Sequence, residues 1–199
     1  LRDVFWAKNG RIINTSLSHA WYARPEWNNL YPYDPDKARE LLKEAGWDSN
    51  REVTMITYYT AYEDFWGAVQ QQLAAVGFKM KPVVLEVGAW VDSFYKNYDW
   101  EMMFAGMGGS TPHGILASQY SMDTRNAYGY SNPVLQEKID RARRAATVEE
   151  QAEIYREIGD ELVVTLPLVV IVNQAERVFY NNNWYHPLLS HVEPATRVD

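Results

Sequence analysis

The polar and apolar residues of this chain first show a clear helical spacing at residues 34–46. Asp34 can cap the first free backbone N–H groups, Pro35 occupies the first helical position, and Gly46 follows the last turn as a stop. One stripe of the helix is apolar, and its members lie three or four residues apart: Ala38, Leu41, Leu42 and Ala45. The pattern therefore predicts an amphipathic helix.

Three segments beyond this helix have the composition of strands. Residues 52–59 alternate and are rich in β-forming side chains, and residues 78–85 and 100–105 are predicted as further strands. The first intervening helix is predicted to begin with a capping box of Thr60 and Glu63. Strands that alternate with helices predict right-handed crossovers and an α/β fold, with a mostly parallel sheet between helices.

Two further helices and a strand are predicted in the second half. Asn132 caps the first helix, and Thr147 with Glu150 forms the capping box of the second. The side chains expected to face inward are Val134, Leu135, Ile139 and Ala142 on the first helix, and Ile154, Tyr155, Ile158 and Leu162 on the second. Residues 167–172 form an apolar run short enough to be a central, buried strand, which is predicted to continue with polar residues through Asn173 and Gln174.

Composition narrows the possible partners and chemistries. The 199 residues carry a net charge of −7, which argues against nucleic acid as a partner because such binding needs clustered Lys and Arg. Without cysteine the chain has no disulfides, thiol catalysis or thiolate metal ligands. The aromatic content of 14% fits either a core built on large rings or a binding surface that uses them.

Candidate catalytic and metal-binding groups are sparse. The four histidines show no i,i+4 pair on a predicted helix, so no metal and no cofactor is expected: His19, His113, His186 and His191. The glycine-rich loop at residues 106–114 matches neither a P-loop nor the G-x-S-x-G motif of serine hydrolases. A hydrolase using His113 and Ser110 stays as an alternative, but no nucleophile is paired with a base, and no enzyme is expected.

The same loop is the best candidate for ligand binding. It follows a predicted strand, and in open α/β sheets ligands bind beyond the carboxyl ends of the strands. The candidate ligand-binding residues in the loop are Gly108, Gly109, Ser110, Thr111 and His113. Tyr59 and Tyr62 follow the first strand and reach the same edge if the strands are parallel, so they join the site. Trp66, one turn later, is expected to pack into the core.

Residues 31–47, which read YPYDPDKARELLKEAGW, resemble the signature of the family 5 extracellular solute-binding proteins. These are the peptide and oligopeptide receptors of bacterial ABC importers. Residues 72–79, residues 130–133 and residues 147–171 resemble later blocks of the same family, and they occur in the family's order.

The resemblance implies an α/β lobe of the periplasmic-binding-protein type II kind, with a mixed, mostly parallel sheet flanked by helices. It implies a lead-in from the hinge over residues 1–33, a C-terminal lobe over 34–180, and a return segment over 181–199 toward a missing lobe. The function implied is the capture of a peptide between two lobes and its delivery to a membrane permease. The location implied is extracytoplasmic, either in the periplasm or lipid-anchored at the outer face of the membrane. The exposed inter-lobe face is expected to allow self-association.

The sequence departs from the family's peptide receptors at two points. Many of them hold the peptide's amino terminus with an acidic residue in the loop equivalent to 103–114, but here no Asp or Glu lies between Glu101 and Asp123. An Arg for the peptide carboxylate is likewise missing from residues 57–64. An extended peptide held by main-chain contacts fits this pattern. An oligosaccharide stacked on aromatic rings is the alternative, and opines and metal chelates are further candidates.

Overall fold

The computed structural model describes residue 5 and residues 10–11, 13–17, 21–106, 111–122 and 128–174. The helices are α1 (Pro35–Glu44), α2 (Glu63–Ala74), α3 (Val87–Asp92), α4 (Pro112–Gln119), α5 (Pro133–Arg144) and α6 (Val148–Thr165). The strands are β1 (Gly10–Arg11), β2 (Glu52–Thr57), β3 (Lys79–Val84), β4 (Met102–Met103) and β5 (Asn173–Gln174). Short 3₁₀ turns span Pro25–Asn29 and Thr60–Tyr62, and a π-helical turn, Ser93–Asn97, follows α3.

The main sheet consists of three parallel strands in the order β3–β2–β4. Met55 of β2 is in register with Pro82 on one side and Met102 on the other. Pro82 is tolerated because β3 is an edge strand, where a residue without an N–H group need not interrupt the ladder. A separate antiparallel pair joins β1 to β5. The predicted α/β class with a mixed, mostly parallel sheet is confirmed.

Helices cover both faces of this sheet. Met55 and Ile56 are neighbours in β2 and therefore point to opposite faces. On one face Met55 packs in a cluster with Phe65 and Trp66 of α2, and on the other Ile56 packs with Trp90 of α3. The largest core cluster joins α4, α5 and α6, with two aromatic side chains from earlier in the chain, Tyr22 and Trp27.

The predicted helix starts at three places are confirmed by side-chain caps. Asp34 accepts a hydrogen bond from the backbone N–H of Lys37 at 2.9 Å, and Asn132 accepts two from the first turn of α5 at 3.1 Å each. Thr147 accepts one from the N–H of Glu150 at 3.1 Å. Among the helices in the described ranges, none is long and apolar enough to cross a membrane.

The capping box expected at Thr60 and Glu63 is wrong. Thr60 lies in a 3₁₀ turn that runs directly into α2, and no side chain caps the first turn of that helix. The residue at the cap position is Tyr62, whose phenol is too long and rigid to fold back onto its own backbone. Glu63 and Asp64 instead place negative charge at the positive end of the helix dipole.

The strand expected from residue 167 is confirmed only at its polar end, where β5 spans Asn173–Gln174, and its apolar part over residues 167–172 is wrong. In the described sheet both sides of β2 are already paired, so this apolar run has no central position to occupy. Ile171 and Val172 pack half-buried on the Met55 cluster, while Val169 is 71% exposed. Val134, expected to face inward, is 60% exposed in the first turn of α5.

Candidate ligand-binding site

The segments that follow the three parallel strands leave the sheet side by side. The backbone N–H of Leu85, beyond β3, donates to the carbonyl oxygen of Thr57 at 2.8 Å. The N–H of Phe104, beyond β4, donates to the carbonyl oxygen of Ile56 at 2.9 Å. The carboxyl ends of all three strands therefore share one edge, which is where ligands bind in open α/β sheets.

Tyr58 and Tyr59 stand at this edge as a stacked pair. Successive side chains of a strand point to opposite faces, but the backbone N–H of Tyr59 donates to the Thr57 hydroxyl at 3.2 Å and turns the chain out of the strand. The two rings consequently lie on the same side, with centroids 4.1 Å apart. The Tyr58 hydroxyl donates to the Tyr59 hydroxyl at 2.8 Å.

That hydrogen bond also affects the pKa of Tyr58. Donation to Tyr59, reinforced by desolvation, raises the pKa of Tyr58 to about 12. Tyr58 consequently keeps its proton, and remains a donor, to a higher pH than an ordinary tyrosine. The Tyr58 ring packs edge to face against the ring of Trp90, with centroids 4.6 Å apart, and Trp90 is buried in the core.

Gly106, just beyond β4, completes the contact between the two loops. Its backbone N–H donates to the Tyr59 hydroxyl at 3.3 Å. A Cβ at this position would lie 2.8 Å from the same oxygen, so a larger residue would push the Tyr59 hydroxyl away. The structure thus brings Tyr59 together with the first residue of the glycine-rich loop.

Tyr62 connects this edge to the core. Its half-buried ring meets Tyr59 edge to face at 5.5 Å and Phe104 at 5.9 Å. Trp66 is 3% exposed, so its predicted place in the core is confirmed. We define the tyrosine edge as Tyr58, Tyr59, Tyr62 and Gly106.

Thr111 and His113 lie at the start of α4. The Thr111 hydroxyl accepts a hydrogen bond from the N–H of Gly114 at 3.0 Å and so caps that helix. His113 is half-buried, and its Nδ1 is buried without a hydrogen-bond partner in the part of the chain that the structure describes. A catalytic histidine needs an orienting group at that nitrogen, and the described residues supply none.

Several sequence-predicted residues lie outside the described residues. They are Gly108, Gly109 and Ser110 of the loop, and His19, His186 and His191. The return segment over 181–199 lies there too. These assignments stay predictions. Within the described ranges, no group of three or more His, Asp or Glu side chains is arranged to hold a metal ion.

Tyr58 and Gly106 belong to the two segments that the sequence pointed to, but they were not among the predicted ligand-binding residues. A signal was available for each. Tyr58 directly precedes Tyr59 at the end of a predicted strand, and Gly106 is the first glycine after another. Their contact joins residues 47 positions apart, which no local pattern reveals.

Comparison with known proteins gives a consistent family match. The family model described as "Bacterial extracellular solute-binding proteins, family 5 Middle" matches residues 1–128. The glutathione-binding protein GsiB of Salmonella typhi is 28% identical over 174 residues, which are 81% of this chain and 33% of that protein. A Brucella ovis protein, named as a candidate ABC transporter peptide-binding protein, is 34% identical over 101 residues, 46% of this chain and 19% of its own.

A solved structure shows the same fold. The ABC transporter-associated periplasmic binding protein DppA from Helicobacter pylori, in complex with the peptide STSA, superposes with a TM-score of 0.76 at 24% identity. The superposition covers 87% of this chain and 35% of that one. The chain therefore spans about a third or less of the length of these relatives. The likeness confirms the predicted lobe of the periplasmic-binding-protein type II kind.

Proposed function

Because this chain belongs to the family 5 bacterial extracellular solute-binding proteins, we propose that it forms part of the solute-binding component of an ABC importer. The complete protein holds a peptide or oligopeptide-like solute between this lobe and a second one, and delivers it to a membrane permease. It works outside the cytoplasm and binds its solute without chemical change. The chain corresponds to about a third of GsiB, so the proposal concerns a longer protein.

The tyrosine edge is the observation that carries this proposal. It lies at the carboxyl ends of parallel strands and offers ring faces, phenol hydroxyls and glycine backbone, with no charged side chain among its four members. Such a surface suits a solute with alternating amide and apolar groups, because rings pack on the apolar parts and hydroxyls bind the amides. GsiB is named for glutathione and the Helicobacter pylori structure holds a peptide, which supports the same solute class.

An oligosaccharide is the competing solute, since aromatic faces also pack against sugar rings. The two classes separate in native mass spectrometry of the complete protein, purified without refolding. A ladder of co-purified peptides supports the proposal, whereas a hexose series would replace it with a sugar receptor.

A thermal-shift assay tests whether the complete protein binds peptide and whether the peptide binds at the tyrosine edge. A bound solute stabilises the folded state by about 2.7 kcal/mol at a concentration 100 times its Kd, so the melting temperature is expected to rise with peptide concentration. Tyr59→Ala should reduce that rise, and Tyr33→Ala, at a residue that is 82% exposed and not a member of the tyrosine edge, should leave it unchanged. Equal shifts in both variants would remove the tyrosine edge from the site.

The catalytic alternative and the self-association both have direct tests. Turnover of an ester, glycoside or peptide that disappears in His113→Ala would overturn the proposal that the protein only binds its solute.

Light scattering of this chain over a range of concentrations tests self-association, and a monomer at every concentration would contradict self-association.

A further inference from the structure

The Tyr59 hydroxyl oxygen accepts two hydrogen bonds. A phenol has one hydrogen to donate and lone pairs with which to accept. The backbone N–H of Gly106 can act in one direction, as a donor, so at that contact Tyr59 accepts. The Tyr58 hydroxyl donates to the same oxygen at 2.8 Å, which is the usual length of an O–H···O bond.

The hydroxyl hydrogen of Tyr59 is therefore available for a further hydrogen bond. No group in the described ranges accepts it, and the half-buried ring keeps the hydroxyl within reach of a solute. The raised pKa of Tyr58 agrees with this order of donors, because donation to Tyr59 stabilises the protonated form of Tyr58.

We propose that Tyr59 determines specificity as a donor, and that its hydroxyl hydrogen binds a carbonyl or carboxylate oxygen of the peptide solute. Tyr58 and Gly106 are positioning residues, because they occupy the acceptor side of Tyr59. This assignment rests on the proposed solute-binding function and names the chemistry of one of its contacts.

The same arrangement disfavours an ammonium group at this point. An ammonium has donors alone, and it would have to displace Tyr58 or Gly106 to reach the oxygen of Tyr59. The loop beyond β4 also lacks a carboxylate to hold it, since no Asp or Glu lies between Glu101 and Asp123. The Tyr59 hydroxyl is therefore selective for the acceptor groups of a peptide over its amino terminus.

Isothermal titration calorimetry of the complete protein with tetraalanine tests the contact. Tyr59→Phe keeps the ring and removes the donor, so affinity should fall about tenfold if a peptide carbonyl is the acceptor, and more if a carboxylate is. Gly106→Ala should cause a similar loss, because its Cβ would displace the Tyr59 hydroxyl. Tyr33→Phe is the matched control and should bind as the wild type does.

Modified peptides identify which oxygen is bound. Tetraalanine carboxamide lacks the carboxylate, and analogues with one peptide C=O replaced by CH₂ each lack a single carbonyl. The analogue that lacks the bound oxygen should lose affinity in the wild type but lose nothing further in Tyr59→Phe.

Tyr58→Phe tests the positioning role separately. It frees an acceptor position on Tyr59, so the preference for tetraalanine over a 1,4-diaminobutane probe should shrink, a change that mere loss of packing would not cause. Tetraalanine binding to Tyr59→Phe within twofold of the wild type would overturn this inference and leave the proposed function standing. If no peptide binds the wild type, both this inference and the proposed peptide-binding function are overturned.

Discussion

Trp27 lies against helix α6 at Gly159, and this contact shows how one residue shapes the helical core. The indole is 1% exposed, and its Nε1 donates to the Asp160 carboxylate at 2.7 Å. A Cβ on Gly159 would overlap the six-membered ring of Trp27. Glycine in a helix interior costs roughly 0.5–1 kcal/mol relative to alanine, and here it lets the ring rest on the helix backbone.

Replacing this glycine should therefore destabilise the protein. Gly159→Ala is expected to lower the free energy of unfolding by about 1–3 kcal/mol, because overpacking outweighs the better helix propensity of alanine. Urea denaturation measures the change. Gly67→Ala in α2 is the matched control, since nothing lies within 4 Å of an added Cβ there, and it should be neutral or slightly stabilising. Equal stability of the two variants would contradict the packing described.

At the scale of elements, α1 and α5 have similar caps but different roles. Both begin with a side-chain cap and a proline, as their sequences predict. Helix α5 buries three side chains in the helical core, whereas α1 buries none, and Leu41 in its apolar stripe is 51% exposed. The cap signals therefore identify both helices but do not reveal how much each contributes to stability.

The two caps should respond differently to mutation. Asn132→Ala is expected to lower the free energy of unfolding by about 0.5–2 kcal/mol, because the cap holds a core helix and its amide also donates to Glu161 at 2.7 Å. Asp34→Ala should speed hydrogen exchange in the first turn of α1, with a smaller effect on global unfolding. Urea denaturation and hydrogen exchange measure the two effects. A global loss for Asp34→Ala as large as that for Asn132→Ala would show that α1 is integral to the core.

Elements with local signals were predictable, and those that depend on a partner were less so. A cap is complete within four residues, so the starts of α1, α5 and α6 could be read from the chain. A strand exists through pairing, and residues 167–172 have a strand's composition without a free place beside β2. The cap at Thr60 failed because the preceding 3₁₀ turn moved the helix start.

At the scale of the whole molecule, buried phenols link stability to pH. Tyr128 packs against the helical core and also meets Phe94 of the sheet cluster, with ring centroids 6.2 Å apart. Burial raises the pKa of Tyr22 and of Tyr128 above the ordinary range, and that of Tyr120 to about 12. In the unfolded chain these tyrosines lose their protons near pH 10, whereas in the folded protein they keep them to a higher pH.

Stability should consequently fall at alkaline pH. Above about pH 10 the unfolded state binds fewer protons than the folded state, so the free energy of unfolding decreases as pH rises, by up to about 1.4 kcal/mol per pH unit for each such group. Urea midpoints at pH 8 to 11.5 measure the slope. Tyr120→Phe should make it shallower, whereas Tyr33→Phe, at an exposed ring, should keep the wild-type profile. An unchanged slope in Tyr120→Phe would contradict the burial of that phenol.

The sequence by itself determined the family, the α/β class and most helix starts, because family motifs, caps and apolar periodicity depend on residues close together in the chain. It also pointed to Tyr59 and to the loop after the third strand as parts of one edge. The tertiary structure decided the contacts between distant residues: Gly106 with Tyr59, and Trp27 with Gly159. Such contacts depend on which surfaces the folded backbone brings together. For the same reason, the chain's order alone could not show that Tyr58 and Gly106 both donate to the Tyr59 hydroxyl.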